Sequence, residues 1–132
     1  MNSNTRSWHD PAELGELERS ILSIVWSKAK INAEQVREEL GRPLKDSTIR
    51  TVLRKLEEKG YVTHKLDGRT FVYRAADTRR NVAVRAAQQL IDRFCGGSVE
   101  ELLVGLVDNQ VLEPKQLQRL ADKVANRREK QK

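Results

Sequence analysis

Hydroxyl-bearing and cationic side chains are concentrated in one stretch near the middle of the chain. Between residues 42 and 74 there are nine Lys or Arg residues and four acidic residues, a local balance of +5. Lysine and arginine neutralise phosphates, arginine can donate two hydrogen bonds to a guanine edge, and hydroxyls can contact either phosphates or bases. The side chains that we predict to contact DNA are Lys45, Ser47, Thr48, Arg50, Thr51, Arg54, Lys55, Lys65 and Arg69.

Residue types that serve catalysis or metal binding are scattered. Two histidines, His9 and His64, and a single cysteine, Cys95, do not form a metal-binding motif, and the acidic residues show no paired pattern. The Gly96-Gly97 pair lacks the lysine and the spacing of a phosphate-binding loop. We therefore predict no enzyme activity, no metal site and no cofactor. We interpret His64 as solvated or packed and Cys95 as a small buried residue, with a redox-sensing thiol as the alternative.

Two helices precede the candidate contact residues. Apolar residues at helical spacing predict a first helix from Leu14 to Ser27. Ile31, alone among polar residues, suits a short strand. Asn32 followed by Gln35 predicts the capped start of a second helix, which ends at Gly41.

A third helix and a hairpin carry the candidate contact residues. The helix is predicted from Asp46, as its cap, to Lys59, with Gly60 after it. The apolar residues of this helix form a stripe that faces the protein core, and its hydroxyl and cationic side chains lie on the opposite face. The β-prone runs Tyr61–Leu66 and Arg69–Arg74 flank Asp67-Gly68, a typical hairpin turn. The order helix, strand, helix, helix, hairpin indicates a winged helix.

Three amphipathic helices are predicted after residue 76. Asp77 is expected to cap the first of them, Ser98 and Glu101 form a capping box for the second, and Pro114 opens the third. Their apolar stripes can fold back on the N-terminal domain or pair with a second subunit, and we favour a homodimer because two-fold operators match two half-site readers. The predicted dimerisation residues are Leu90, Ile91, Phe94, Leu102, Leu103, Leu106, Leu117 and Leu120.

The predicted fold class is mainly α with a small β-hairpin. An N-terminal winged helix-turn-helix is joined to a C-terminal helical dimerisation segment. The predicted boundaries are a flexible arm at 1–13, the winged helix at 14–75, the dimerisation domain at 76–128 and a frayed tail at 129–132.

Bulk composition agrees with a polyanionic partner. The net charge is +6 and the sequence pI is about 9.7. A single cysteine excludes an intramolecular disulfide, and we find neither an apolar signal sequence nor an apolar run long enough for a membrane span. We expect a cytoplasmic protein with no membrane partner.

The sequence also resembles the BlaI/MecI penicillinase-repressor family, whose relatives include CopY-type copper-responsive repressors. The resemblance runs from about Leu14 to Arg128 and is most specific in the third helix and the hairpin. The segments that carry it are Leu14–Glu18, Ile24–Trp26, Ser47–Leu53, Lys59–Val62, Gly68–Tyr73, Phe94–Ser98 and Leu102-Leu103.

This resemblance implies a homodimer that binds a palindromic operator in double-stranded DNA and blocks transcription. In antibiotic-responsive members a membrane sensor-protease triggers cleavage at an Asn-Phe bond, so a regulatory protease or sensor is an implied partner. The corresponding stretch here, Val104–Val107, lacks that pair. Copper-responsive relatives carry paired cysteines, whereas this chain has only Cys95. The resemblance thus implies a repressor and leaves its inducing signal open.

Two other functions fit the same residues. The winged helix could be a protein-interaction module within a larger complex. Alternatively, the basic face could bind nucleic acid without sequence preference, although the chain offers few aromatic residues to stack on unpaired bases.

Overall fold

The computed structural model describes residues 9–130 of the chain. Six α-helices and a small three-stranded antiparallel sheet make up the regular structure of these residues, which confirms the predicted fold class. The elements are α1 Glu16–Trp26, β1 Ile31–Asn32, α2 Ala33–Leu40, α3 Asp46–Glu58, β2 Val62–Asp67, β3 Thr70–Ala75, α4 Arg79–Phe94, α5 Val99–Asp108 and α6 Pro114–Lys130.

The ends of α2 follow directly from local sequence. The Asn32 side chain accepts a hydrogen bond from Gln35 N at 2.8 Å, and the Gln35 side chain accepts one from Asn32 N at 3.0 Å. This reciprocal capping satisfies two amides that the helix leaves unpaired. Gly41 ends the helix with φ +65°, a left-handed conformation that glycine adopts without steric cost. Both predicted ends of α2 are confirmed.

The helix α3 is held by an apolar stripe against the rest of the winged helix. Ile49, Leu53 and Leu56 are fully buried, and Val52 is nearly so. They join the stripes of α1 and α2, so the opposite face of α3 remains in solvent. The other buried members of this core are Leu14, Ile21, Leu22, Val25, Ile31, Val36, Tyr61, Val62, Tyr73 and Val82.

The sheet has the strand order β1-β3-β2. Ile31 pairs with Tyr73, which fixes the short strand β1 at the edge of the hairpin. Asp67 pairs with Thr70, so the turn residues are Gly68 and Arg69 rather than the predicted Asp67 and Gly68. Gly68 has φ +67°, and the primed turns that join hairpin strands require positive φ at the first turn residue. This one-residue difference moves Arg69 from the strand to the tip of the hairpin.

Two predicted helix caps are wrong by one residue. Asp46 is the first residue of α3, and Lys45 is the N-cap, without a side-chain capping bond. Before α4, the Thr78 hydroxyl accepts from Asn81 N, whereas the Asp77 carboxylate accepts from Thr78 N, Asn81 Nδ2 and Arg85 Nη1. The Asp77 carboxylate, which accepts three hydrogen bonds, thus connects the start of α4 to Arg85 in a later turn of the same helix.

Residues 9–13 pack on the winged helix, which differs from the flexible arm expected there. Pro11–Glu13 form a 3₁₀ turn capped by the Asp10 side chain, and both Asp10 and Pro11 are buried. His9 Nδ1 lies 2.7 Å from the hydroxyl of Tyr61, a core residue. The remainder of the predicted arm, residues 1–8, lies outside the described residues.

The chain divides into two compact units, residues 1–87 and residues 88–132. The first unit extends past residue 75, the predicted end of the winged helix, because Val82 of α4 is buried in its core. In the second unit, Cys95 N and Gly97 N both donate to Ile91 O, and the Ser98 hydroxyl accepts from Glu101 N to start α5. Helix α6 continues to Lys130, so residues 129 and 130 of the predicted frayed tail are helical.

Candidate nucleic-acid interface

Four predicted contact residues share the solvent face of α3. Ser47, Arg50, Thr51 and Arg54 follow the spacing i, i+3, i+4 and i+7, which places them on one side of a helix. Ser47, Arg50 and Arg54 are exposed, and Thr51 is half-buried. The Thr51 hydroxyl therefore lies between two guanidinium groups and the Ser47 hydroxyl lies before them, on the side of α3 opposite its buried stripe. Lys55 and the half-buried Thr48 flank this face.

None of the six predicted contact cations has an acidic partner among residues 9–130. Within residues 9–130, no ion pair or side-chain hydrogen bond involves the side chains of Lys45, Arg50, Arg54, Lys55, Lys65 or Arg69. All six are exposed. Their charges are thus available to an anion without the breaking of an internal ion pair. We define these six residues as the free basic set.

Two other cations of the same stretch are neutralised by α1. Arg42 Nη2 lies 2.6 Å from Glu16 Oε2, and Lys59 Nζ lies 2.7 Å from Glu18 Oε2. Hydrogen bonds from Arg42 and Ser20 lower the pKa of Glu16 to about 2. Burial opposes the shift at Glu18, but the bonds from Lys59 and Gly15 N outweigh it and lower the pKa. The local charge balance in the sequence therefore overstates the positive charge open to a partner.

The hairpin, or wing, presents further cations on its outer face. Lys65 pairs with Val72 and Thr63 pairs with Arg74, so Lys65 and Arg74 lie on the same face of the two strands. Arg69 lies in the turn. Arg74 is exposed and, among residues 9–130, forms no ion pair, yet it was not among the predicted contact residues. Strand alternation from Lys65 and the antiparallel register would have identified it.

The inner face of the wing meets the end of α3 through His64. His64 Nδ1 lies 2.6 Å and 2.9 Å from the two carboxylate oxygens of Glu57. The imidazole ring stacks on Phe71, with centroids 4.3 Å apart and planes 10° apart, and Tyr73 lies next to it at 5.6 Å. Burial raises the pKa of Tyr73, Glu57 adds to this effect, and Arg50 and Arg54 oppose it.

The unit of residues 88–132 carries an exposed apolar surface. Phe94 is 80% exposed, and Leu90 and Leu120 are also exposed. Leu102, Leu103, Leu106 and Leu117 are half-buried, whereas Ile91 is buried within the single chain and is removed from the predicted dimerisation set. Exposed valines that the prediction omitted are Val99, Val104, Val111 and Val124.

Residues 9–130 contain no cluster of three or more His, Cys, Asp or Glu side chains suited to a metal ion. Cys95 is a free thiol and is half-buried rather than buried as predicted. Within the same residues, no helix combines the length and the apolar character that crossing a bilayer requires.

Comparison with known proteins places the chain in a family. The model of the penicillinase repressor family matches residues 14–126. The chain is 30% identical over 102 residues to an uncharacterised 16.5 kDa protein of Latilactobacillus sakei, covering 76% of this chain and 70% of that protein. It is 24% identical over 110 residues to the penicillinase repressor of Bacillus licheniformis, covering 82% and 86% respectively.

A solved structure supports the fold over most of the chain. RosR from H. salinarum superposes with a TM-score of 0.50 at 20% sequence identity, covering 89% of this chain and 96% of RosR. The family resemblance seen in the sequence is confirmed, since the family model spans both compact units. This protein belongs to the penicillinase repressor family, whose members are winged-helix, DNA-binding transcriptional repressors.

Proposed function

We propose that this protein is a transcriptional repressor that binds a palindromic operator in duplex DNA as a homodimer. The observation that carries the proposal is the free basic set, whose six cations have no acidic partner within residues 9–130, whereas Arg42 and Lys59 are neutralised by α1. A duplex supplies the phosphates that such cations bind, with release of condensed counterions. Family membership supports repression as the outcome of binding.

In the proposed complex, α3 enters the major groove and the wing follows the backbone. Ser47, Thr48 and Thr51 contact phosphates or base edges, and Arg50 binds a guanine through both terminal nitrogens. The positions of Arg54 and Lys55 further along α3 suit phosphate contacts. Lys45 at the N-cap of α3, and Lys65 and Arg69 on the wing, bind the backbone on either side.

The proposed dimer uses the C-terminal unit. Phe94, Leu90 and Leu120 expose large apolar side chains there, and burying them between two copies would remove them from water. A two-fold dimer places two copies of α3 on successive half-sites, which is the reason for proposing a palindrome. The half-buried Leu102, Leu103, Leu106 and Leu117 complete the proposed interface.

We further propose that derepression does not depend on cleavage at the family's Asn-Phe position. Val104–Val107 replaces that pair and lies inside α5. A peptide bond within a helix is accessible to a protease only after local unfolding. The signal that separates this protein from DNA, and any sensor or protease that delivers it, therefore acts elsewhere.

The testing experiment is a selection of bound sequences from random duplex DNA, followed by titration of the selected duplex at two salt concentrations. We expect an enriched two-fold palindrome that sediments with two chains bound. The binding constant should fall with salt, with a logarithmic slope of roughly −0.9 for each phosphate neutralised.

The same experiment discriminates the two alternatives. A specific-to-nonspecific affinity ratio near one would contradict the repressor and favour general nucleic-acid binding. Absence of duplex binding at both salt concentrations would contradict binding of double-stranded DNA and favour the protein-interaction module.

A further inference from the structure

The strongest feature that the proposed DNA contacts leave unexplained is the pairing of Glu57 with His64. Glu57 is in the last turn of α3, and His64 is in the middle of β2. Both side chains are about 30% exposed, so the pair is reached by solvent and protons while still being held by its neighbours.

The geometry specifies where the proton of the neutral imidazole must be. An ionised carboxylate only accepts hydrogen bonds, and both of its oxygens lie within 2.9 Å of His64 Nδ1. Nδ1 therefore carries a proton in the neutral ring as well as in the charged one. A second proton goes to Nε2 and leaves the bond to Glu57 in place.

The pair links the wing to α3. On one side, the His64 ring is stacked on Phe71 of β3, which is itself 47% exposed. On the other side, its Nδ1 is hydrogen-bonded to Glu57 of α3. The position of the wing cations Lys65 and Arg69 relative to Arg50 and Arg54 thus depends on this bond in addition to the core.

Protonation changes the charge at this junction. With neutral His64 the pair carries −1, and with charged His64 it carries no net charge. Glu57, Arg50 and Arg54 all act on the phenol of Tyr73, whose ring lies beside that of His64. Since DNA is a polyanion, it binds more tightly to the form in which the −1 charge is cancelled.

We propose that the Glu57–His64 pair, stacked on Phe71, positions the wing against α3 and couples DNA binding to the uptake of a proton by His64. This inference rests on the proposed DNA-binding function. Linkage determines the sign: because DNA favours the protonated state of His64, affinity rises as pH falls.

The test uses the full chain, the duplex selected above and a second, unrelated duplex, at pH 8 and pH 6. For wild type we expect the affinity for DNA to rise about two- to fivefold per chain when the pH is lowered from 8 to 6. His64→Asn places an amide N–H near the position of Nδ1 but does not titrate. It should therefore bind like wild type at pH 8 and lose most of the pH effect.

His64→Leu removes the donor and should weaken binding at pH 8 by about fivefold, the worth of one positioning hydrogen bond. Rescue by Asn but not by Leu separates positioning from a general loss of packing. The matched control is His9→Asn, which replaces the only other histidine of the chain and should retain the wild-type pH effect.

The outcomes separate this inference from the proposed function. A wild-type pH effect in His64→Asn would overturn proton coupling, and full affinity of His64→Leu at pH 8 would overturn positioning. A nitrogen-15 spectrum of the DNA-free protein that places the neutral-ring proton on Nε2 would overturn the hydrogen bond itself. Failure of wild type to bind either duplex would contradict the proposed function first.

Discussion

Arg42 and Arg50 have the same side chain and lie in the same basic stretch, but their surroundings differ. Arg42 is paired with Glu16, whereas Arg50 is exposed and, within residues 9–130, has no acidic partner. Binding an anion at Arg42 requires an ion pair to be broken, while binding at Arg50 requires only the displacement of water. At the scale of single residues, the partner rather than the residue type separates a candidate contact from a structural cation.

We expect Arg50→Ala to cost about 1 to 3 kcal/mol of specific DNA binding, because a bidentate contact with guanine would be lost. Affinity for the selected duplex and for an unrelated duplex should be measured side by side. The control, Arg42→Ala, should leave the ratio of the two affinities unchanged. An equal loss on both duplexes for Arg50→Ala would identify it as a phosphate contact instead.

A second prediction at this scale concerns acid stability. The pKa of Glu16 is lowered from 4.5 to about 2, so this carboxylate contributes stability above its ordinary pKa, and the contribution is lost as pH falls toward 2. Wild type should therefore lose more thermal stability than Glu16→Gln between about pH 5 and pH 2 at low salt. If the melting temperatures of the two proteins fall equally over this pH range, the ion pair between Glu16 and Arg42 contributes nothing to stability.

At the scale of elements, helical periodicity and glycine punctuation predicted α1, α2, α3 and the hairpin closely. The errors are at the caps and the turn. Lys45 rather than Asp46 is at the N-cap position of α3, and the hairpin turn begins one residue later than predicted. Several polar residues near a helix start can each cap it, and which one does so depends on how the preceding chain is held. Local sequence alone does not determine this.

The wing turn gives an element-scale prediction. Gly68 has φ +67°, and nothing lies within 4 Å of an added Cβ, so substitution is opposed by backbone conformation alone. Gly68→Ala should lower the free energy of unfolding by about 1 kcal/mol in urea titration. Gly68→Asn should lose less than half as much, because asparagine tolerates the left-handed region. Equal losses in the two variants would argue against a conformational cause.

At the scale of the whole molecule, the proposed function needs both units: one to contact DNA and one to pair two copies. The first unit has a buried apolar core, and the free basic set, which has no acidic partner among residues 9–130, is exposed on α3, its N-cap and the wing. The second unit, residues 88–132, buries Ile91 but leaves Phe94 80% exposed. Burial of this side chain against a second copy would remove its apolar surface from water.

We therefore expect Phe94→Asp to convert the proposed dimer to a monomer in sedimentation experiments while the winged helix stays folded. Phe94 is a better position for this test than Leu103. Substitution of the exposed Phe94 leaves packing within the chain intact, whereas Leu103 is half-buried. Leu66→Asp is the matched control, since Leu66 is 64% exposed but lies on the wing. A Phe94→Asp variant that still sediments as a dimer would contradict the proposed interface.

The sequence by itself determined the helices, the hairpin, the buried stripe of α3 and the family. These features follow from spacing within an element, capping residues and glycines that permit positive φ, all of which are local. It also located the hydroxyl and cationic residues on the exposed face of α3, because a helix with one buried stripe leaves the opposite side in water.

The tertiary structure alone decided which of these groups have partners. Arg42 is paired with Glu16 and Lys59 with Glu18, His64 meets Glu57, His9 lies against Tyr61, and Ile91 is buried. Most of these contacts join residues on different elements, and their formation depends on how the elements pack rather than on any local pattern. A hydrogen bond or close ion pair forms only when the two groups lie within a few ångströms of each other. A shift of one helical turn or one residue of strand register therefore changes which groups are partners.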